Sequence, residues 1–170
     1  MKKTVWLLAL TPLLFFASCK KDSDSVPENN IKANINDTAK TFSYAATATY
    51  IGTGSPYSLV LYAGMGSSSM EGVTLSISQN GTPITPGTYT QSGGSGIYTI
   101  GGVYNPGTTV TADIYGAGFN VGADPQFSIT ISSISATNVS GTFSGAFYDN
   151  SGFGVKKKVF SNGQFNLAIQ

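Results

Sequence analysis

The chain has 170 residues, enough for one domain with a substantial core, and carries nine Lys, no Arg and eight acids, formally +1. A charge so sparse and balanced, without Arg, argues against nucleic acid as a partner, because that recognition rests on clustered cations and bidentate Arg. The absence of His excludes Ser-His-Asp and Cys-His catalysis, His general bases and His-ligated metals.

At the start of the chain, Lys2 and Lys3 precede an apolar run from Val5 to Ala17. A membrane-spanning helix needs about 20 apolar residues, so the run reads as the h-region of a signal peptide. It ends in Phe16-Ala17-Ser18-Cys19, and Cys19 is the single Cys. Small residues just before a Cys at this place resemble the lipobox of bacterial lipoproteins, although Phe16 stands where Leu is commoner. The resemblance implies removal of residues 1–18, a diacylglycerol on the Cys19 sulfur and acylation, with palmitate or a similar chain, of the new amine. One acyl chain holds a protein to a membrane only marginally, whereas several make a durable anchor.

Residues 19–30 form the next unit. From Lys20 to Asn30 the chain has charge, Ser, Pro and Asn but one apolar residue, Val26. Such a stretch cannot bury enough surface to fold and is expected to be a lipidated, flexible tether. The opening Cys19-Lys20-Lys21-Asp22-Ser23-Asp24-Ser25 resembles lipoproteins of Bacteroidota, in which acids soon after the lipidated Cys accompany display on the outer face of the outer membrane. Two Lys precede the acids here, a departure from that pattern. Lys20 in place of Asp directly after the Cys fits the general Gram-negative sorting to the outer membrane. Asp24-Ser25-Val26 and Asp37-Thr38-Ala39 resemble the Asp-Ser/Thr-small-apolar sequon for O-glycosylation of exported Bacteroidota proteins, which makes Ser25 and Thr38 candidate acceptors.

From Ile31 to Gln170 no helical period of useful length occurs, and two-residue alternation predominates. Ile31, Ala33 and Ile35 alternate with polar residues, and Phe42, Tyr44, Ala46, Ala48 and Tyr50 do the same in one longer run. Leu59 and Leu61 follow, then Val73, Leu75 and Ile77, and Val110, Ala112 and Ile114. Phe127, Ile129 and Ile131, then Val139, Phe143 and Phe147, and finally Phe165, Leu167 and Ile169 complete the series. Turn-forming residues separate the runs, among them Asn36-Asp37, Asn80-Gly81 and Gly93 to Gly96. Asn162-Gly163 suits a two-residue type I′ hairpin. One wet and one buried face per strand is the habit of antiparallel sheets. The expected fold of residues 31–170 is an all-β antiparallel sandwich of about nine or ten short strands, with a β-barrel as the alternative.

Three short segments carry a family resemblance: Pro86-Gly87-Thr88-Tyr89, Val139-Ser140-Gly141-Thr142-Phe143-Ser144, and Ser161-Asn162-Gly163-Gln164-Phe165-Asn166. With the lipobox and its Lys-Lys-Asp sequel, they resemble a group of small Bacteroidota outer-membrane lipoproteins that are β-sandwich-like and have no assigned function. The resemblance implies fold and location and carries over no catalytic residue.

Chemistry-bearing groups are few. The domain holds five acids, Asp37, Glu71, Asp113, Asp124 and Asp149. Two convergent carboxylates could hydrolyse a glycoside, but the spacing shows no pair; Asp113 alone falls in mid-strand, beside Thr111 and Tyr115. No cation site is expected, since calcium needs clustered oxygen ligands, and no cofactor is implied. Lys156-Lys157-Lys158 is the one basic cluster. It suits either an edge strand guarded by Lys or contact with anionic lipopolysaccharide or polysaccharide. Tyr98, Tyr104, Tyr115 and Tyr148 fall opposite or beside the most apolar register and are expected to be exposed. With Asp113 they are the candidate ligand contacts, since exposed aromatics stack on sugar rings and anchor interfaces. The expected function is a non-enzymatic module, anchored to the outer membrane through Cys19 and exposed at the cell surface, that binds glycan or an envelope protein or serves as an accessory subunit. A carboxylate-dependent carbohydrate hydrolase and a purely structural envelope protein are the alternatives.

Overall fold

A computed structural model of the chain describes residues 29–91, 97–107, 114–118, 124–149 and 156–170. Those residues form eleven strands and no helix: β1 (Asn30–Ile35), β2 (Thr38–Phe42), β3 (Tyr44–Ile51), β4 (Tyr57–Gly64), β5 (Gly72–Gln79), β6 (Gly87–Thr90), β7 (Tyr98–Asn105), β8 (Tyr115–Ala117), β9 (Ser128–Ile134), β10 (Asn138–Asp149) and β11 (Lys157–Ala168). The neighbouring strands run β2-β1-β11-β10-β8-β7-β5-β4-β3, with β9 also on β10 and β6 on β9. Every one of these pairings is antiparallel.

The two longest strands make this one sheet fold over on itself. Val139 to Ser144 of β10 pair with β9, whereas Tyr148 and Asp149 at its far end pair with β8. Between the two halves sits Gly145 at φ 139°, where the register with β11 shifts. A side chain is disfavoured at that φ, so glycine lets β10 turn from one layer into the other. One layer is β6-β9-β10-β11-β1-β2; the other is β8-β7-β5-β4-β3. On the opposite side the chain itself crosses from β2 to β3 at Ser43. The last residues close the seam: Ala48 bridges Ile169 in parallel, and the Gln170 N–H donates to the Ala48 carbonyl at 2.9 Å. The sheet is thus nearly closed and barrel-like, between the sandwich and the barrel of the sequence expectation. Such closure leaves little unpaired edge.

Alternation fills the interior. Ile31, Leu59, Leu61, Leu75, Ile77, Ile129, Ile131 and Leu167 are fully buried, as are Phe42, Phe127, Phe147 and Phe160. Phe147 packs on Phe160 with ring centroids 4.3 Å apart, and Phe127 meets Phe147 edge-on at 5.3 Å. Burying each such ring contributes about 1.5–3 kcal/mol.

Three expectations are corrected here. Asn162-Gly163 is no hairpin turn: β11 runs through it, with Asn162 at φ 52° marking a bulge. The two-residue turn is Asn36-Asp37, with φ of 47° and 64°, joining β1 to β2; paired positive φ values are the mark of type I′. The run from Thr41 to Tyr50 is two strands in different layers, separated at Ser43 and followed by Ala45 at φ 49°. Finally, β11 as a whole lies between β1 and β10 and is not an edge strand; only its Lys157–Lys158 end runs past β1 and pairs with β10 alone.

Candidate functional site

The site begins with two copies of one short pattern, Gly141-Thr142-Phe143 on β10 and Gly163-Gln164-Phe165 on β11. The strands are antiparallel, so Gly141 faces Phe165, Thr142 faces Gln164 and Phe143 faces Gly163. Each ring occupies the room that the opposite residue leaves by having no side chain. A Cβ on Gly141 would lie 2.5 Å from Phe165 Cζ and 2.0 Å from the Thr130 carbonyl; one on Gly163 would lie 2.6 Å from Phe143 Cδ1. The inward half of the pattern is therefore locked by packing. By alternation, the middle residues, Thr142 and Gln164, point outward side by side, and both are exposed.

That pair is the centre of a polar array. Across the layer, Thr88, Thr130, Thr142, Gln164 and Lys32 occupy successive register positions on β6, β9, β10, β11 and β1. The Thr88 and Thr130 hydroxyls are 3.0 Å apart. A parallel row on one side contains Ser128 and Ser144, with hydroxyls 3.4 Å apart. On the other side lie Ser140, Asn166 and Asn30, and Ser132 sits at a bulge where the β9 register shifts. Strand geometry sets such rows about 7 Å apart along the strands and their members about 4.8 Å apart between strands.

Between the rows run two shallow grooves. The first, of about 490 Å³, is lined by residues of β9, β10, β11 and β1, chiefly Ser132, Ser140, Thr142, Gln164, Asn166 and Lys32. The second, of about 450 Å³, is lined by Ser128, Thr130, Thr142, Ser144, Asn162 and Gln164, with Phe143 and Gly163. Thr142 and Gln164 line both and form the ridge that separates them. Lys32 is the single charged side chain in either lining. Asn166, in the first groove, has a buried side-chain oxygen that accepts no hydrogen bond from the protein. A buried acceptor without a partner is uncommon and calls for a donor.

The tyrosines do not form a site of their own. Tyr104 and Tyr115 were expected at the surface; both are buried, at 2% and 5% exposure. They take the inward register, and the aliphatics beside them, Val103 and Ile114, are the exposed residues. The Tyr104 ring packs edge-on against Phe160 at 5.3 Å, and Tyr115 lies 6.2 Å from it. The Lys158 ammonium sits 5.5 Å from the Tyr115 ring centroid, a cation–π arrangement. Tyr98 is half-buried, edge-on to Tyr89 at 5.1 Å, and its hydroxyl accepts from the Thr90 N–H. Tyr148 is half-buried, and its hydroxyl accepts from the Asp124 N–H. The exposed tyrosines are Tyr44 and Tyr62, on the other layer. Thr38 is exposed on β2, while Cys19, Ser25 and Asp113 lie outside the described residues.

One acid gains a role that its sequence position did not indicate. The Glu71 side chain, 14% exposed, accepts from the Lys40 ammonium and, at 2.7 Å, from the Tyr104 hydroxyl through the same Oε1. Burial first, and then the Glu71 hydrogen bond and charge, push the Tyr104 phenol well above its ordinary 10.0. The cluster ties β2 to the start of β5 across the interior, so it belongs to closure of the fold. Among the described residues no three acidic or Cys side chains come together as a metal site would require, and no helix is long and apolar enough to cross a membrane. Comparison with protein-family models, curated proteins and solved structures found no match.

Proposed function

We propose that this chain is an exported, non-enzymatic binding module. Lipid on Cys19 holds it at the outer membrane, on the cell surface, and the outward face of β9, β10, β11 and β1 meets a glycan or an envelope protein there. The signal run and the single Cys directly after it support the anchor. The polar grooves on either side of Thr142 and Gln164 are the observation that carries the binding role. Hydroxyls and amides can both donate and accept, so such a face engages a partner without any reactive group. With its first strand starting at Asn30, the domain follows Cys19 by a span of at most about 40 Å of extended chain, which keeps it close to the membrane.

Two measurements in cells test this reading. Cys19→Ala should move the protein from the membrane to the soluble fraction. A photo-crosslinking residue at position 142 of the full chain should give adducts with envelope material, whereas the same residue at Ser76, on the outward face of β5, should not. Retention of the Cys19→Ala variant at the membrane would remove the anchor. Equal adducts at both positions, or none at 142, would remove the binding face.

A further inference from the structure

We infer that the paired grooves bind an uncharged polysaccharide, laid across the strands of β9, β10, β11 and β1 with Thr142 and Gln164 at its centre. This inference rests on the binding-module reading above and names the ligand of that same face.

The lining, the course and the span of the grooves select this chemistry. The linings are almost wholly hydroxyl and amide, with Lys32 as their one charge. An anionic polymer would be met by several cations, since its binding grows with each charge neutralised, and a single Lys does not supply that. A peptide recognised by strand addition would follow an open sheet edge; these grooves instead cross strands that are already paired on both sides.

The first groove extends over four neighbouring strands, which strand spacing makes about 14 Å, longer than a single sugar ring. Its rows alternate groups that donate and accept, which matches the hydroxyls of a sugar chain, each of them also a donor and an acceptor. Asn166 lines the same groove, and its amide is a further hydrogen-bonding group of the array. The interlocked Gly141–Phe165 and Phe143–Gly163 pairs hold the backbone beneath the ridge fixed, so the array is preorganised before the ligand arrives.

The test uses the full chain purified in detergent and run in native gels containing one polysaccharide each: dextran, mannan, xylan or laminarin as uncharged probes, and polygalacturonate or heparin as charged ones. The expected result is retardation by at least one uncharged probe and by neither charged probe. The double variant Thr142→Ala, Gln164→Ala should weaken that retardation at least tenfold and Asn166→Ala should weaken it as well. Thr74→Ala, on the other layer, should leave it unchanged. If the double variant melts early, Thr130→Ala, bordering the second groove alone, carries the same expectation of weaker retardation. Retardation by none of the uncharged probes, stronger retardation by the charged ones, or wild-type behaviour of the groove variants overturns the inference. Should no polysaccharide bind while position 142 still cross-links to an envelope protein, the polysaccharide is wrong and the binding module stands; loss of both results sinks both.

Discussion

The two outward faces of the molecule obey the same alternation and yet carry different chemistry. On β3, β4, β5 and β7 the outward residues include Val60, Tyr62 and Val103, at 37%, 40% and 42% exposure. They are scattered among Thr47, Thr74 and Ser76. The Tyr62 ring lies over the Gly64–Gly72 pair: a Cβ on Gly64 would be 3.3 Å from its hydroxyl, and one on Gly72 would be 3.6 Å from Cε2. That ring covers backbone that two glycines leave bare. On β9, β10, β11 and β1 no large hydrophobic side chain is exposed, and around Thr142 and Gln164 hydroxyls and amides continue from strand to strand. Isolated apolar residues on a surface are ordinary and need no explanation. An unbroken polar array with two grooves is the more informative surface. Packing beneath it fixes its shape, while nothing in the fold dictates which side chains project from it.

Core and face should therefore respond differently to substitution. The largest effect is expected at the centre shared by both layers. Phe147→Ala should cost about 3–5 kcal/mol, read as an early thermal or urea transition, because it leaves a cavity beside Phe127 and Phe160. Gly141→Ala comes next. Its new methyl meets the Thr130 carbonyl and the Phe165 ring, and overpacking of this kind costs about 1–3 kcal/mol. A stable Gly141→Ala protein would show that the Gly–Phe interlock does not hold the ridge.

Loss of the Lys40–Glu71–Tyr104 cluster sits below these. Glu71→Gln weakens two charge-assisted bonds and should cost about 1.5 kcal/mol by denaturant unfolding. The same cluster gives a pH dependence whose sign follows from Tyr104. Its phenol is raised in the folded state above the 10.0 of an ordinary tyrosine. Its contribution to stability is fully present below pH 10 and is lost as pH rises from there through the raised value. Tyr104→Phe should therefore flatten the alkaline limb of the stability curve, and an unchanged limb would show that Tyr104 does not set it. Smallest of all, Thr142→Ala and Gln164→Ala should each shift stability by no more than about 0.5 kcal/mol, although they remove the ridge. A large loss of stability at either would mean that the ridge is structural.

Much of the fold could be read from alternation alone. The inward positions of β1, β4, β5, β9 and β10 are the apolar ones that the sequence pattern marks, because a half-buried antiparallel strand leaves that trace directly. Side-chain parity around Tyr104 and Tyr115 was not legible. Tyrosine can occupy either face, and its buried choice depends on partners distant in sequence: Glu71 for the Tyr104 hydroxyl and Lys158 for the Tyr115 ring. Asn162-Gly163 misled for a similar reason. The pair permits a left-handed residue, and whether that makes a turn or a bulge is decided by the neighbouring strands.

The ridge residues Thr142 and Gln164 lay inside segments singled out as motifs, but as the middle members of Gly-x-Phe, whose spacing shows no chemistry. The reciprocal pairing of Gly141 with Phe165 and Phe143 with Gly163 appears only once the register of β10 and β11 is known. With it, Thr142 and Gln164 become neighbours. A repeated Gly-x-Phe was nonetheless a usable signal, since it promises an outward residue backed by a fixed strand.

Hydrogen exchange tests the account most directly. The full chain in detergent would be compared with and without the polysaccharide that retards it in gels, or with isolated outer-membrane vesicles where none does. Added protection should be confined to residues 30–32, 128–144 and 162–166, with 58–78 unchanged. Protection centred on 58–78, and none along β10 and β11, would contradict the assignment of the polar grooves as the face that binds.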